Sequence, residues 1–387
     1  MKNSKKISIL FFSMVVVFFI ACCNAKLKQE VRVQQESGDV NKNYCIMTVF
    51  VHGTVGPHFS FKAIGNWVFS FFKRKKRKLS PFQRYIEQVK QNGFHRLQPI
   101  DELGLHPIDQ SKELKKSDLA YIGQQTVKLY KKVFDASYLD SKDDLMFYTF
   151  NWSGRLSKRL RGKAAGKLYG AVYDEAKRLH KLTGKPIKIW LLGHSHGANV
   201  ILNLEKEALV QKKDLVVDKA VFFGGPVQTE TETFVNGRVF KKIYHIFSRG
   251  DHIQRIDFVS TKDWFSRQTF GSNKKKPICV PKNVNQIEVV IGDHKPFHYE
   301  LWLWGRKRPP YFFYRKDLSI HPLPLSIFSP AVIAMVDALE VPDDKKTGLY
   351  FLNVDGNKGV FDLRRAGLQA NRTVDIDTLR GEGLAVL

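Results

Sequence analysis

Residues 187–199 read Ile-Lys-Ile-Trp-Leu-Leu-Gly-His-Ser-His-Gly-Ala-Asn, an apolar run that ends in a Gly-x-Ser-x-Gly pentapeptide. The run has the composition of a strand, and Ala198 to Leu202 opens a helical stretch. A chain that turns from strand to helix this sharply holds its central residue, Ser195, in a strained backbone conformation. Gly193 and Gly197 flank it where the backbone comes very close to itself and side chains would clash. With Gly at ~7% of residues and Ser similar, chance supplies the bare pattern in roughly a tenth of chains this long. The strand before it and the helix after it give it meaning. Such a turn lifts the serine hydroxyl above the sheet, with the amides of a helix N-terminus beneath it, where they favour a developing negative charge. Ser195 is therefore a candidate nucleophile.

Further runs supply a sheet to hold this turn. Tyr44 to Val51, Asp144 to Phe150, Lys219 to Phe223, Lys242 to Phe247 and Gln286 to Ile291 are β-branched, aromatic and aliphatic, without clean alternation. That is how strands buried on both faces read. Helical patterns lie between several of them, at Ala120 to Phe134 and Leu156 to Leu182. Strands alternating with helices predict an α/β fold, a doubly wound, mostly parallel sheet with helices on both sides. Hydrophobic residues at 43% and charged residues at 26% exclude a wholly disordered or fibrous chain.

The spacing is uneven once. Between Thr54 and Asp143 lie 88 residues, more than one crossover helix needs. This predicts an insertion over about residues 55–118 after the first core strand. It carries Phe59, Phe61, Trp67, Phe69, Phe71 and Phe72, then the cationic run Lys73-Arg74-Lys75-Lys76-Arg77-Lys78. Two readings stand: an interfacial segment that meets anionic lipid, or a solvated basic loop on an aromatic core. The main domain is expected over residues 44–340. Residues 341–387 read as a small C-terminal appendage, in which Leu349 to Val354 and Val360 to Leu363 flank the hairpin signal Asp355-Gly356-Asn357-Lys358-Gly359.

The first 25 residues read as an address rather than as fold. Lys2, Lys5 and Lys6 precede an apolar run from Ile7 to Cys23, with small residues at Ala21 and Ala25, the layout of a secretory signal. Phe19-Ile20-Ala21-Cys22 offers a lipoprotein site, anchoring through Cys22 or Cys23, and Cys23-Asn24-Ala25 an ordinary cleavage site. Residues 26–43 read as a tether. The protein is expected to be exported, periplasmic or secreted, with membrane anchoring under the lipoprotein alternative. Removing the three signal lysines leaves +23 of the formal charge of +26, a surplus that attracts anionic surfaces. Four cysteines exclude a disulfide scaffold. Cys45 and Cys279 remain in the mature chain as either a disulfide or two separate thiols.

The strand–Gly193-His194-Ser195-His196-Gly197–helix unit, together with Val49-Phe50-Val51-His52-Gly53-Thr54-Val55-Gly56 at the first strand, resembles the α/β-hydrolase superfamily in its lipase and esterase branch. The resemblance spans roughly Tyr44 to Leu339. It implies a Ser-His-Asp triad in the chain order serine, acid, histidine. Asp251, in the turn after Ile243 to Phe247, falls at the acid position, with Asp257 as the alternative. The base belongs to the loop after the last core strand, Gly292-Asp293-His294-Lys295-Pro296-Phe297-His298. His298 is favoured as that base, with His294 and then His321 as alternatives. The resemblance also implies an oxyanion hole formed by the amides of His196 and Thr54, with Val55 close behind. His194 and His196 would shape the pocket with their side chains. Phe150 to Gly154 would rim it, and Trp152 reads equally well as core.

No Cys/His spacing of a metal site, Walker loop, dinucleotide fingerprint or nucleic-acid module is present, so no cofactor or specific nucleic acid is implied. The expected protein is an exported serine hydrolase acting on carboxylic esters, of lipid or another hydrophobic class. The competing reading is a non-catalytic, membrane-attached lipoprotein of the same fold that binds anionic lipid or polymer.

Overall fold

The structure is a computed structural model that describes residues 43–53, 103–111, 121–138, 141–252, 254–255, 265–272, 278–291, 295, 325–340, 348–355, 360–367 and 371–375. Its centre is a ten-stranded mixed sheet. The strands are β1 (Cys45–Val51), β2 (Gly104–Pro107), β3 (Asp144–Asn151), β4 (Ile187–His194), β5 (Val217–Phe223), β6 (Phe240–Phe247), β7 (Val284–Ile291), β8 (Gly348–Asp355), β9 (Val360–Arg365) and β10 (Asn371–Asp375). They lie in the order β10-β9-β8-β7-β6-β5-β4-β1-β3-β2. From β3 through β8 every pairing is parallel, while β2, β9 and β10 pair antiparallel at the edges. This is the expected α/β class, and each of the six apolar runs forms a strand.

The absence of alternation in those runs has its cause in two hydrophobic layers. Along β1, Ile46 and Phe50 enter a core shared with helices α1 (Tyr121–Ser137) and α5 (Leu325–Ala338). Cys45, Met47, Val49 and Val51 enter the opposite core, under helices α2 (Lys158–Thr183), α3 (His196–Leu202) and α4 (Leu204–Gln211). Every residue of β1 is buried, as a strand covered on both faces must be. Local signals bound α2: the Ser157 hydroxyl accepts the Leu160 N–H at its start, and Gly184, at φ 67°, donates its N–H to His180 O at its end.

Strand order fixes where a site can form. The chain passes from β1 to β3 on one side, then returns across β1 to β4 and continues outward through β5, β6 and β7. Connections diverge between β1 and β4, and the carboxyl ends of strands at such a switch point border a crevice. Those ends are His52-Gly53 and His194-Ser195.

One expectation changes, and one open alternative is decided. The C-terminal hairpin forms, with β8 and β9 antiparallel, but β8 pairs parallel with β7 in full register from Asn285–Gly348 to Ile291–Val354. The segment is thus a continuation of the sheet rather than an appendage beside it. Tyr350, Leu352 and Val354 are buried in the layer under α5. Of the two readings for Cys45 and Cys279, that of separate thiols holds: Cys45 is buried, with burial pushing its thiol up to about 11, and Cys279 is exposed. Most of the expected insertion, residues 55–102 and 112–118, lies outside the described residues, as do residues 1–42. Among the described residues no helix is long and apolar enough to cross a membrane.

Candidate active site

Ser195 sits between β4 and α3 with φ 51° and ψ −126°. Lys212, a helix cap, is the only other described non-glycine residue with positive φ. A side-chain-bearing residue in this part of backbone space costs on the order of 1–3 kcal/mol, which the surroundings must supply. They do so through two backbone bonds: Ser195 N–H donates to Phe223 O at 2.9 Å, and Ala198 N–H donates to Ser195 O at 3.1 Å.

The flanking glycines are required, though not because they touch each other. A Cβ on Gly193 would lie 2.8 Å from Ala198 N, inside the following helix. One on Gly197 would lie 2.4 Å from Val51 O and 2.6 Å from His52 O, at the end of β1. Gly193 lets the helix fold back on its own strand, and Gly197 lets that helix rest on the neighbouring strand. Val51 stands opposite Gly193 in the β1–β4 register, so the next residues of both strands leave the sheet side by side. A Cβ on Gly53 would come within 2.8 Å of Ser195 Cβ and 3.0 Å of His194 Nδ1. The His-Gly loop and the serine turn are therefore in direct contact.

His52 holds that loop. Its Nε2 accepts the N–H of Trp152 at 3.2 Å, so the ring proton resides on Nδ1, which donates to Gly53 O at 2.6 Å. Trp152 returns an indole N–H to His52 O at 2.8 Å and stacks on the imidazole, centroids 5.6 Å apart. His52 and Trp152 are both buried. Of the two sequence readings of Trp152, the structure shows core packing. His194 and His196 are buried beside the serine. The main-chain N–H of His196, first in α3, has no acceptor within its own helix. Thr54, expected to give the second oxyanion amide, and Val55 lie outside the described residues.

Asp251 is fully buried in the turn after β6. Its Oδ1 accepts Gln254 N–H at 3.0 Å, and its carbonyl accepts the Gln268 side-chain amide at 2.8 Å. Gln254 Nε2 in turn donates to Gly225 O at 2.6 Å. Gly225 packs on α3, where a Cβ would lie 2.7 Å from Ala198 Cβ. A continuous path of contacts thus joins the Asp251 turn to the serine turn. On the far side, a Cβ on Gly250 would lie 2.3 Å from Lys295 O. The backbone at Lys295, between His294 and His298 in sequence, therefore abuts the residue before Asp251. His294, His298, His321 and Asp257 lie outside the described residues.

One residue escaped the sequence reading. His245, fully buried in β6, donates from Nε2 to the same Gly225 carbonyl at 3.2 Å. It is ringed by Phe247, Phe270 and Phe222. Burial pushes its pKa down to about 4, against a smaller opposing effect of the Gly225 bond. It is neutral at physiological pH, and its hydrogen bond holds Gly225 in place. An apolar strand containing one histidine gives no periodic signal for such a role.

Among the described residues, no group of three or more His, Cys, Asp or Glu side chains comes together to hold a metal ion.

No protein family matches the chain by sequence, and no curated protein does. Among solved structures it is similar to a candidate cell surface hydrolase from Lactobacillus plantarum WCFS1, at 11% identity, covering 81% of this chain and 83% of that one with a TM-score of 0.25. It is also similar to ESTFA in its FE-lacking apo form, at 13% identity, covering 65% of this chain and 58% of that one with a TM-score of 0.25. The functional reading rests on the site itself.

Proposed function

We propose that the protein is an exported serine hydrolase of the α/β-hydrolase type that cleaves carboxylic esters. The observation that carries this reading is the Ser195 turn. Its strained φ and ψ cost stability, and Gly53, lacking a Cβ, packs directly against the serine side chain. Strain of this kind concentrates at functional sites. In this reading Ser195 Oγ attacks the ester carbonyl and gives its proton to a histidine of the loop after β7, His298 with His294 as alternative. Asp251 orients that histidine and stabilises its cation. The developing oxyanion receives hydrogen bonds from the amides of His196 and Thr54, each worth about 3 kcal/mol by analogy with other oxyanion holes. The alcohol leaves with the histidine proton, and water then releases the acyl group from Ser195 by the reverse sequence of proton transfers. Burial of Asp251 and the Gly250–Lys295 contact support these roles. Export rests on residues 1–25, and a hydrophobic acyl group on the aromatic, basic insertion.

Steady-state hydrolysis of a p-nitrophenyl ester chain-length series by the wild type and Ser195→Ala tests this reading. The wild type turns over and Ser195→Ala, folded, does not. Equal rates in the two proteins would overturn it.

A further inference from the structure

Beside the Asp251 turn lies a cleft of ≈ 330 Å³ that the proposed chemistry does not use. Phe247, at the end of β6, and Phe265 give it apolar walls, and Thr269 and Ser272 add hydroxyl-bearing ones. Its charged lining among the described residues is Arg249, Arg255 and Arg267. Guanidinium groups brought to one concavity repel one another unless each is balanced by a carboxylate or an anion.

The three guanidinium groups are not equivalent. Arg249 is held from outside the cleft by Glu288, its Nε 2.9 Å from both carboxylate oxygens. Arg267 donates from Nη2 to buried Glu232 at 2.6 Å, and its main chain pairs in both directions with Val227. Glu232 is pinned in turn by the N–H of Gly271. These two arginines are therefore pre-positioned, with their charge balanced from behind. Arg255 is different. Its backbone is fixed, N–H to His252 O and carbonyl to Ser266 N–H, yet its exposed guanidinium has no ion-pair partner among the described residues. A planar fork of donors on a held main chain, lining the same cleft as two braced arginines, suits a carboxylate or phosphate.

We propose that this cleft binds an anionic oxygen group, a carboxylate or phosphate, through Arg255 with Arg249 and Arg267 beside it. Resting on the hydrolase reading of Ser195, that group is the charged end of the ester substrate. The cleft shares the β6 end and the Gln268 side chain with the Asp251 turn, since Gln268 lines it and donates to Asp251 O. It therefore lies on the same carboxyl edge of the sheet as the serine. The chain's +26 charge draws anions to its surface generally; the concavity and its lining select where one is held.

Two measurements separate this proposal from the one it rests on. In the first, glycerol phosphate and inorganic phosphate are titrated by calorimetry into Ser195→Ala protein, where no chemistry occurs. Glycerol phosphate binds saturably and more tightly than inorganic phosphate, and Arg255→Gln weakens it about tenfold. Arg255→Glu, which keeps the exposed site soluble and folded, abolishes it. In the second, mono-p-nitrophenyl suberate is compared with its methyl ester in the otherwise wild-type enzyme. Arg255→Gln lowers the ratio of kcat/KM for the anionic over the neutral ester about tenfold. Affinity unchanged in both Arg255 variants overturns the proposal. Inorganic phosphate binding as tightly as glycerol phosphate overturns its assignment to substrate. Arg255-dependent binding in a wild type that hydrolyses neither ester supports the cleft and overturns the hydrolase reading instead.

Discussion

Gly53 and Ser195 touch: a methyl group on the glycine would lie 2.8 Å from the serine Cβ. Gly53 lies two residues past the end of β1 and Ser195 one residue past the end of β4, and the parallel register of these neighbouring strands brings them together. The contact means the loop and the nucleophile turn cannot be positioned independently. Gly53→Ala is expected to displace one or the other, lowering kcat, and, because the contact is buried, lowering Tm as well. Comparing kcat and the thermal midpoint of this variant with the wild type checks it.

Gly197→Ala is expected to be more damaging than Gly53→Ala. The added methyl meets two main-chain oxygens, at 2.4 and 2.6 Å, which have no rotamer by which to yield. The cost is about 3 kcal/mol, at the upper end for overpacking. Urea unfolding monitored by tryptophan fluorescence reads it directly.

The His52–Trp152 clamp gives a graded pair. Trp152→Phe removes the indole donor to His52 O and is expected to cost about 1 kcal/mol. His52→Leu leaves the buried Trp152 amide and Gly53 carbonyl without their partner, at about 2–3 kcal/mol. It also frees the loop against the serine, so kcat falls more for His52→Leu than stability alone explains. Denaturant midpoints and kcat for both variants test this.

These relationships mark what the sequence could convey. Residues 187–199 announced the strand, the turn and the helix because the signal is local and its glycines are individually constrained. The six apolar runs appeared as strands because burial on both faces removes polar positions. β8 did not read as part of the parallel core because it does alternate: Tyr350, Leu352 and Val354 are buried while Phe351 is 41% exposed, which suits a hairpin with one wet face. Helix α5 was missed for the opposite reason. Ser326 to Ile333 is buried continuously, with Pro330 inside, so it has no polar stripe to reveal a period. The clamp joins residues a hundred positions apart, His52 and Trp152, and no spacing rule encodes that partnership.

His245 makes stability depend on pH in a defined direction. Its folded pKa of about 4 lies below the ordinary 6.5, so the unfolded chain binds its proton more readily. The folded state is favoured above pH 6.5 and loses that advantage as pH falls towards 4, amounting to about 2 kcal/mol between pH 7 and pH 5. His245→Gln is less stable at pH 7 but lacks this slope. Urea midpoints of both proteins across that range decide it.

Asp337 anchors a polar cluster beneath the sheet, accepting from Lys219 at 2.9 Å, Lys242 at 3.2 Å and Tyr244 at 2.5 Å. Burial raises its pKa, but the two lysines and the tyrosine outweigh it and hold the carboxyl below its usual range. Its stabilisation is present above the ordinary carboxylate pKa and lost as pH falls through the lowered one. Asp337→Ala leaves Lys219 with the Tyr138 hydroxyl alone and Lys242 with Glu340 alone, at about 1–2 kcal/mol after allowing for their exposure. The loss of thermal midpoint should be large at pH 7 and shrink at acid pH.

The central claim is that Ser195 is an activated nucleophile. Incubating the purified mature protein with a fluorophosphonate probe, with Ser195→Ala alongside and detergent added to both, tests it most directly. The account predicts stoichiometric labelling of the wild type, mapped to Ser195, and none of the variant. A folded wild-type protein that remains unlabelled in detergent would contradict it.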